Sequence, residues 1–129
     1  MDNSFARIDF VIGTEGGLIF LEVDEFQHKF GYEPSCDMKR MAKVHESLAV
    51  AGCHIPICWV RYNPNEFSVD GTKDKVARPD REKQLFDYIQ RVNMTDAPPM
   101  QIKYMYYDTT DGVTEVTLHD NYRFKEMVV

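Results

Sequence analysis

The sequence is thin in cysteine, has no long apolar stretch, and carries fewer bases than acids. Only three cysteines occur among 129 residues (Cys36, Cys53 and Cys58), an odd number with no Cys-x-x-Cys pair. That argues against a disulfide framework and for a reducing compartment, hence an intracellular setting in cytoplasm or nucleus. Cys53-His54, Cys58 and His45 match no common zinc spacing either. No apolar run approaches the roughly 20 residues a membrane helix requires, and the opening residues do not read as a signal peptide. Internal repeats and low-complexity segments are lacking as well. With 15 Lys and Arg against 21 Asp and Glu, the formal net charge is −6, which counts against a simple cationic nucleic-acid binder. What is present, 43% apolar and 28% charged residues, suits one globular domain over residues 1–129.

The charge is unevenly spread. Residues 1–28 hold a single base, Arg7, against Asp2, Asp9, Glu15, Glu22, Asp24 and Glu25, a net −5. Residues 29–83 are net +2 and residues 84–129 net −3. The acid excess therefore sits in the first fifth of the chain, beside a slightly basic middle.

Arg7 to Ile12 reads as a short strand, Gly13 to Gly17 as turn chemistry, and Leu18 to Asp24 as the partner strand of a hairpin. Glu25 to Pro34 reads as a loop. Ser35 or Asp37 caps a helix reaching Ala51, with Gly52 as its stop and Met38, Met41, Ala42, Val44, Leu48 and Ala51 as its apolar stripe. Ile55 to Tyr62 is a nearly continuous apolar run, the mark of a buried central strand, and Asn63-Pro64-Asn65 ends it. Residues 66–80 read as an exposed polar loop. Pro79-Asp80 opens a second helix to Val92, and Pro98-Pro99 precedes a strand over Gln101–Tyr107 and another over Val113–Leu118. The order is ββαβαββ, a mixed α/β (α+β) domain with one core.

Side chains two apart on a strand share a face, so Glu22 and Asp24 point together while Val23 points into the opposite layer. A hairpin closing about position 15.5 sets Asp9 beside Glu22, so that the three carboxylates Asp9, Glu22 and Asp24 are expected to converge within a few ångströms. Two carboxylates ~5 Å apart at an effective dielectric of ~20 repel by roughly 3 kcal/mol, so a proton or a cation must offset them. Mg²⁺ prefers oxygen ligands, needs only one or two carboxylates, and keeps waters suited to phosphoryl chemistry. Gln27 and His28 follow at once, an amide and a proton-transfer group. Spacing alone leaves two readings open: a metal site, or a solvated acidic face.

Arg7-Ile8-Asp9-Phe10, then Phe20-Leu21-Glu22-Val23-Asp24-Glu25-Phe26-Gln27-His28, then Cys36-Asp37-Met38-Lys39-Arg40-Met41, then Trp59-Val60-Arg61-Tyr62-Asn63-Pro64-Asn65 stand in this order. Over about residues 5 to 92 this pattern resembles a PD-(D/E)XK superfamily nuclease, and within it the Vsr-like, EDxHD-like branch of large DNA viruses and algae. The resemblance implies a restriction-endonuclease-like core, with a central mixed sheet flanked by helices. It implies Asp9 and Glu22 as metal-binding acids, the Val23 carbonyl as a further ligand, and Mg²⁺ or Mn²⁺ as cofactor. Asp24 stands where the superfamily places its catalytic lysine, and a carboxylate cannot do an ammonium's work. His28 and Gln27 are then the groups to take it over, while Asp24 would bind the ion or a second one. Asp37 and Arg40 would fix the loop or hold a phosphate, an i, i+3 pair between them being the alternative.

The resemblance thus implies an endonuclease hydrolysing phosphodiester bonds in DNA. Lys29, Lys39, Arg40, Lys43 and Arg61 are its expected backbone contacts, with Lys73, Lys75, Arg78 and Arg81 as a second basic group. Only eight residues precede Asp9, where the superfamily core places a helix and a strand. The expectation is a domain reduced or excised from a longer protein, whose other domains would be partners. A homodimer would suit two-strand cleavage. A second function class keeps the fold without the catalysis, as a nucleic-acid or protein interaction module. Tyr104 to Tyr107 is read as cross-strand packing or a dimer interface ahead of base stacking.

Overall fold

The computed structural model describes residues 8–28, 34–111, 113–114 and 125–128. In chain order the elements are β1 (Phe10–Thr14), β2 (Gly17–Val23), a 3-10 turn η1 (Glu25–His28), α1 (Pro34–Val50), β3 (Ile57–Tyr62), β4 (Ser68–Val69), β5 (Thr72–Lys73), α2 (Arg78–Arg91), β6 (Met100–Met105), β7 (Thr109–Thr110), β8 (Val113–Thr114) and β9 (Lys125–Val128). The main sheet runs β1-β2-β3-β6-β9; β1 is antiparallel to β2 and the other neighbours are parallel. The molecule is a mixed α+β structure with a mixed sheet flanked by two helices.

The β1–β2 hairpin pairs Phe10 with Leu21 and Thr14 with Gly17, so its register centres on 15.5 as the glycine pattern predicts. Its glycines also serve packing. Gly16 has φ +80, and a Cβ there would lie 2.5 Å from the Thr95 nitrogen; at Gly17 it would lie 2.6 Å from the Pro56 carbonyl. The turn docks on the segment after α2, where the Met94 N–H donates to the Glu15 carbonyl at 2.7 Å and Thr14 Oγ1 donates to the Val92 carbonyl at 2.7 Å.

All six residues of β3 are buried, which is why the run carries no alternation. On one face Ile19, Leu21, Cys58, Val60, Tyr62 and Met105 pack with Leu85, Tyr88 and Ile89 of α2 and with Val92 just after it. On the other, Phe20, Ile57, Trp59, Ile102 and Tyr104 pack with Met41, Val44 and Leu48 of α1. The tryptophan indole donates to His45 Nε2 at 2.7 Å, and its ring meets Phe20 edge-on at 5.0 Å between centroids. α1 stops as its sequence requires. Gly52 takes φ +84, its N–H reaches the Ala49 carbonyl at 3.0 Å, and the Cys53 N–H reaches Leu48 at 2.8 Å.

Four segments depart from expectation. α1 begins at Pro34, which places Ser35 and Asp37 within the helix and not at its cap. Residues 66–80 are not an unstructured loop: β4 and β5 form a hairpin around Asp70 (φ +51) and Gly71 (φ +80), and join β7 and β8 in a second sheet ordered β5-β4-β7-β8. The strand expected to reach Tyr107 ends at Met105, because Tyr106 takes φ +63. The strand expected over Val113–Leu118 is seen as Val113–Thr114, and its remainder lies outside the described residues. The last strand, β9, carries no expectation from the sequence.

Candidate functional site

The acids converge because of two registers. The hairpin ladder ends at Phe10–Leu21; Asp9, in the bend just before it, lies within electrostatic reach of Glu22, and its Oδ2 accepts the Val23 N–H at 2.9 Å. The parallel ladder sets Glu22 beside Arg61 of β3. Asp9 is exposed, whereas Glu22 is buried. The Oε1 atom of Glu22 is buried, with no hydrogen-bond partner among the described residues. Its carboxyl is pushed up to about 7, chiefly by burial; the nearby Arg61 opposes that shift, Asp9 and Asp24 add to it, and Arg40 opposes it.

Asp24, wholly buried, faces a different neighbour from the one expected. Arg61 donates through Nε to Oδ2 at 2.7 Å and through Nη2 to Oδ1 at 2.9 Å, a forked pair, and the Tyr107 hydroxyl donates to Oδ2 as well. Burial, then the Asp24 charge, raise the pKa of that phenol. Arg61 Nη1 lies 3.6 Å from Met41 Sδ on α1. Both oxygens of Asp24 thus accept from the Arg61 guanidinium, and Oδ2 also accepts from Tyr107. Arg61, expected on the nucleic-acid backbone, is only 4% exposed and forms an ion pair with Asp24.

The remaining candidates scatter. Lys39 and Lys43 are exposed on α1, and Arg40 is half-buried on the same helix within electrostatic reach of Glu22. Lys75 is exposed; Lys73 pairs with Glu66 at 2.5 Å, and Arg78 with Glu82 at 3.5 Å. Arg81 is buried, so it is not part of a basic surface. Gln27 and His28 close η1, directly after Asp24, and their side chains lie outside the described residues, as do Lys29 and the side chain of Asp37. His45, bonded to Trp59, and Cys58, 3.6 Å from the Tyr88 hydroxyl, pack on opposite faces of the sheet. Tyr104 and Tyr107 are buried and meet at 5.0 Å between ring centroids, a packing role.

Among the described residues, no three His, Cys, Asp or Glu side chains gather closely enough to form a metal cluster by themselves. What the geometry offers is a two-carboxylate pair, Asp9 and Glu22, over a neutralised Asp24–Arg61 base. Sequence reasoning missed Tyr107, which lies 83 residues from its acceptor. Compared with known protein families, curated proteins and solved structures, the chain matches none, so the functional reading rests on this geometry.

Proposed function

We propose that the chain is a divalent-metal-dependent endonuclease acting on DNA phosphodiesters, with a PD-(D/E)XK-type, restriction-endonuclease-like core. The observation that carries this reading is Glu22, whose buried Oε1 has no hydrogen-bond partner among the described residues while Asp9, at the mouth of the hairpin, lies within electrostatic reach of it. An orphaned buried acceptor beside a second carboxylate suits a hard cation, which asks for only one or two carboxylates. Asp9 and Glu22 would hold Mg²⁺ or Mn²⁺, with the Val23 carbonyl as a third donor. When bound, the ion would supply an activated water and charge stabilisation at the phosphoryl oxygens.

The chain's own groups divide the remaining work. Arg61 brings a positive charge within reach of Glu22 in a site whose lysine position is an aspartate. Asp24 anchors that guanidinium. His28 is the proposed proton-transfer group and Gln27 the proposed hydrogen-bonding partner of water or phosphate. Lys39, Arg40 and Lys43 on one side, and Lys73 and Lys75 on the other, would contact phosphates and give affinity without sequence preference. A homodimer, further domains of a parent protein and an intracellular setting belong to the same proposal.

Plasmid nicking tests it directly. Cleavage is expected with Mg²⁺ or Mn²⁺, none with EDTA, and none from Asp9→Ala or Glu22→Ala. Activity that survives both substitutions would falsify the assignment. One observation favours a non-catalytic module instead: Asp24 occupies the lysine position and is closed off by Arg61 and Tyr107. That reading expects no cleavage with any metal, and DNA binding indifferent to Glu22→Ala.

A further inference from the structure

The loop Asn63-Pro64-Asn65 after β3 is held more firmly than a connection requires. Arg81, in the first turns of α2, is 6% exposed, yet among the described residues no carboxylate pairs with it. Its guanidinium instead donates to three successive carbonyls, through Nη1 to Asn63 at 3.2 Å and Asn65 at 2.9 Å, and through Nη2 to Pro64 at 3.2 Å. The Phe67 and Tyr106 rings lie 5.7 and 5.5 Å from it. The Asn63 amide, wholly buried, donates to the carbonyls of Asn65, Glu66 and Tyr106 at 3.3, 3.3 and 2.9 Å, and its oxygen accepts the Asn65 N–H at 3.0 Å. A buried cation spent on carbonyls alone is a costly way to shape a loop, and it leaves the Asn65 backbone fixed from both sides.

The Asn65 side chain passes that rigidity on. Its Oδ1 accepts the N–H of Phe26 at 2.7 Å, across 39 residues of sequence. Phe26 has φ +52, a left-handed conformation that a bulky aromatic avoids and that persists only where the surroundings over-determine it. It is the second residue of η1, the turn that leaves β2 beside Glu22 and carries Gln27 and His28. The Arg81–Asn65–Phe26 relay therefore joins α2, on one face of the sheet, to the candidate site on the other.

We infer that Asn65 is a positioning residue, whose carboxamide, set by Arg81 and Asn63, locks η1 in the strained form that fixes the chain beside Glu22. Its catalytic consequence rests on the nuclease reading above; the lock itself does not. In the full chain, Asn65→Ala removes the acceptor and Asn65→Asp keeps one. Asn65 is half-buried at the protein surface, and an unchanged Tm serves as the control for folding.

Two readouts are taken on each variant: amide hydrogen exchange at Phe26, and kcat and KM for Mn²⁺-dependent cleavage of a short DNA duplex. Asn65→Ala is expected to speed Phe26 exchange at least tenfold and lower kcat at least tenfold with KM within twofold, while Asn65→Asp stays near the parent in both. Phe26→Gly, which adopts positive φ without strain, is expected to make the Asn65→Ala effect on kcat smaller. Unchanged Phe26 exchange in Asn65→Ala overturns the lock, as does an Asn65→Asp variant equally impaired. A parent chain that cleaves normally with or without the Asn65 acceptor overturns its catalytic consequence. A parent that cleaves nothing, with the exchange pattern as expected, removes the nuclease reading and leaves the lock standing.

Discussion

At Glu22 burial favours the neutral carboxyl, and its proton is held to about 7 against an ordinary value of 4.5. Between those two values the folded chain binds a proton that the unfolded chain has released. Stability from this group is thus complete below about pH 4.5 and is lost as pH rises through 7. Glu22→Gln removes that dependence. Urea denaturation is expected to give matching stabilities at pH 4, and a variant firmer than the parent by about 1–3 kcal/mol at pH 8. A parent whose stability is flat from pH 5 to 8 contradicts the burial argument. Asp24 and Arg61 make the complementary case, since each is the other's neutraliser. Arg61→Met leaves a wholly buried carboxylate without its guanidinium and should cost about 3–5 kcal/mol, whereas Asp24→Leu with Arg61→Met should recover most of that loss. Equal losses in the single and double variants would sink the pairing. The Asp9–Glu22 meeting was legible from the sequence because a glycine turn sets a hairpin register locally. The Asp24–Arg61 pair was not, because nothing in a local pattern specifies which strand adds parallel to β2, 37 residues further on.

Glycine placement decides how the hairpin element sits on the rest of the fold. At Gly17 a Cβ would meet the Pro56 carbonyl at 2.6 Å and Met94 Cβ at 2.7 Å, whereas at Gly13 it would meet nothing within 4 Å. Gly17→Ala should therefore cost roughly 1–3 kcal/mol through displaced backbone. Gly13→Ala should be neutral or slightly stabilising by restricting the unfolded chain. Thermal unfolding of the two variants side by side checks this, and equal shifts would show that the turn, not its docking, is what Gly17 serves. Both long helices and the three central strands were legible to within a few residues, since each carries its own period, breaker or cap. The second sheet was not. Its strands are two residues long, below what periodicity can register, although Asp70-Gly71 is the strongest kind of hairpin signal and marks its turn. Arg81 was misplaced for a related reason. A basic residue near a helix start looks like surface, and only the tertiary loop it grips takes it inside.

Across the whole molecule, a net charge of −6, with −5 carried by residues 1–28 of the sequence, opposes compaction through self-repulsion. Arg61 is hydrogen-bonded to Asp24, and although Arg61 and Arg40 also act on Glu22 through space, no ion pair to Asp9 or Glu22 is formed among the described residues. A divalent ion bound between them would neutralise that pair, so the folded state should be the form that binds it and stability should rise with its concentration. At a hundredfold excess over its dissociation constant a single site adds about 2.7 kcal/mol. For a domain of this size that is a Tm increase on the order of 10 °C. The parent chain is therefore expected to melt higher in millimolar Mn²⁺ than in EDTA, in proportion to the logarithm of Mn²⁺ concentration. Asp9→Asn and Glu22→Gln should each lose that response, and Lys75→Ala, remote in sequence and exposed, should keep it in full. Scanning fluorimetry across a Mn²⁺ series separates the cases. A rise that persists undiminished in both acid variants would place cation binding elsewhere on this acidic chain. No rise in the parent would take the metal, and with it the catalytic proposal, out of the Asp9–Glu22 site.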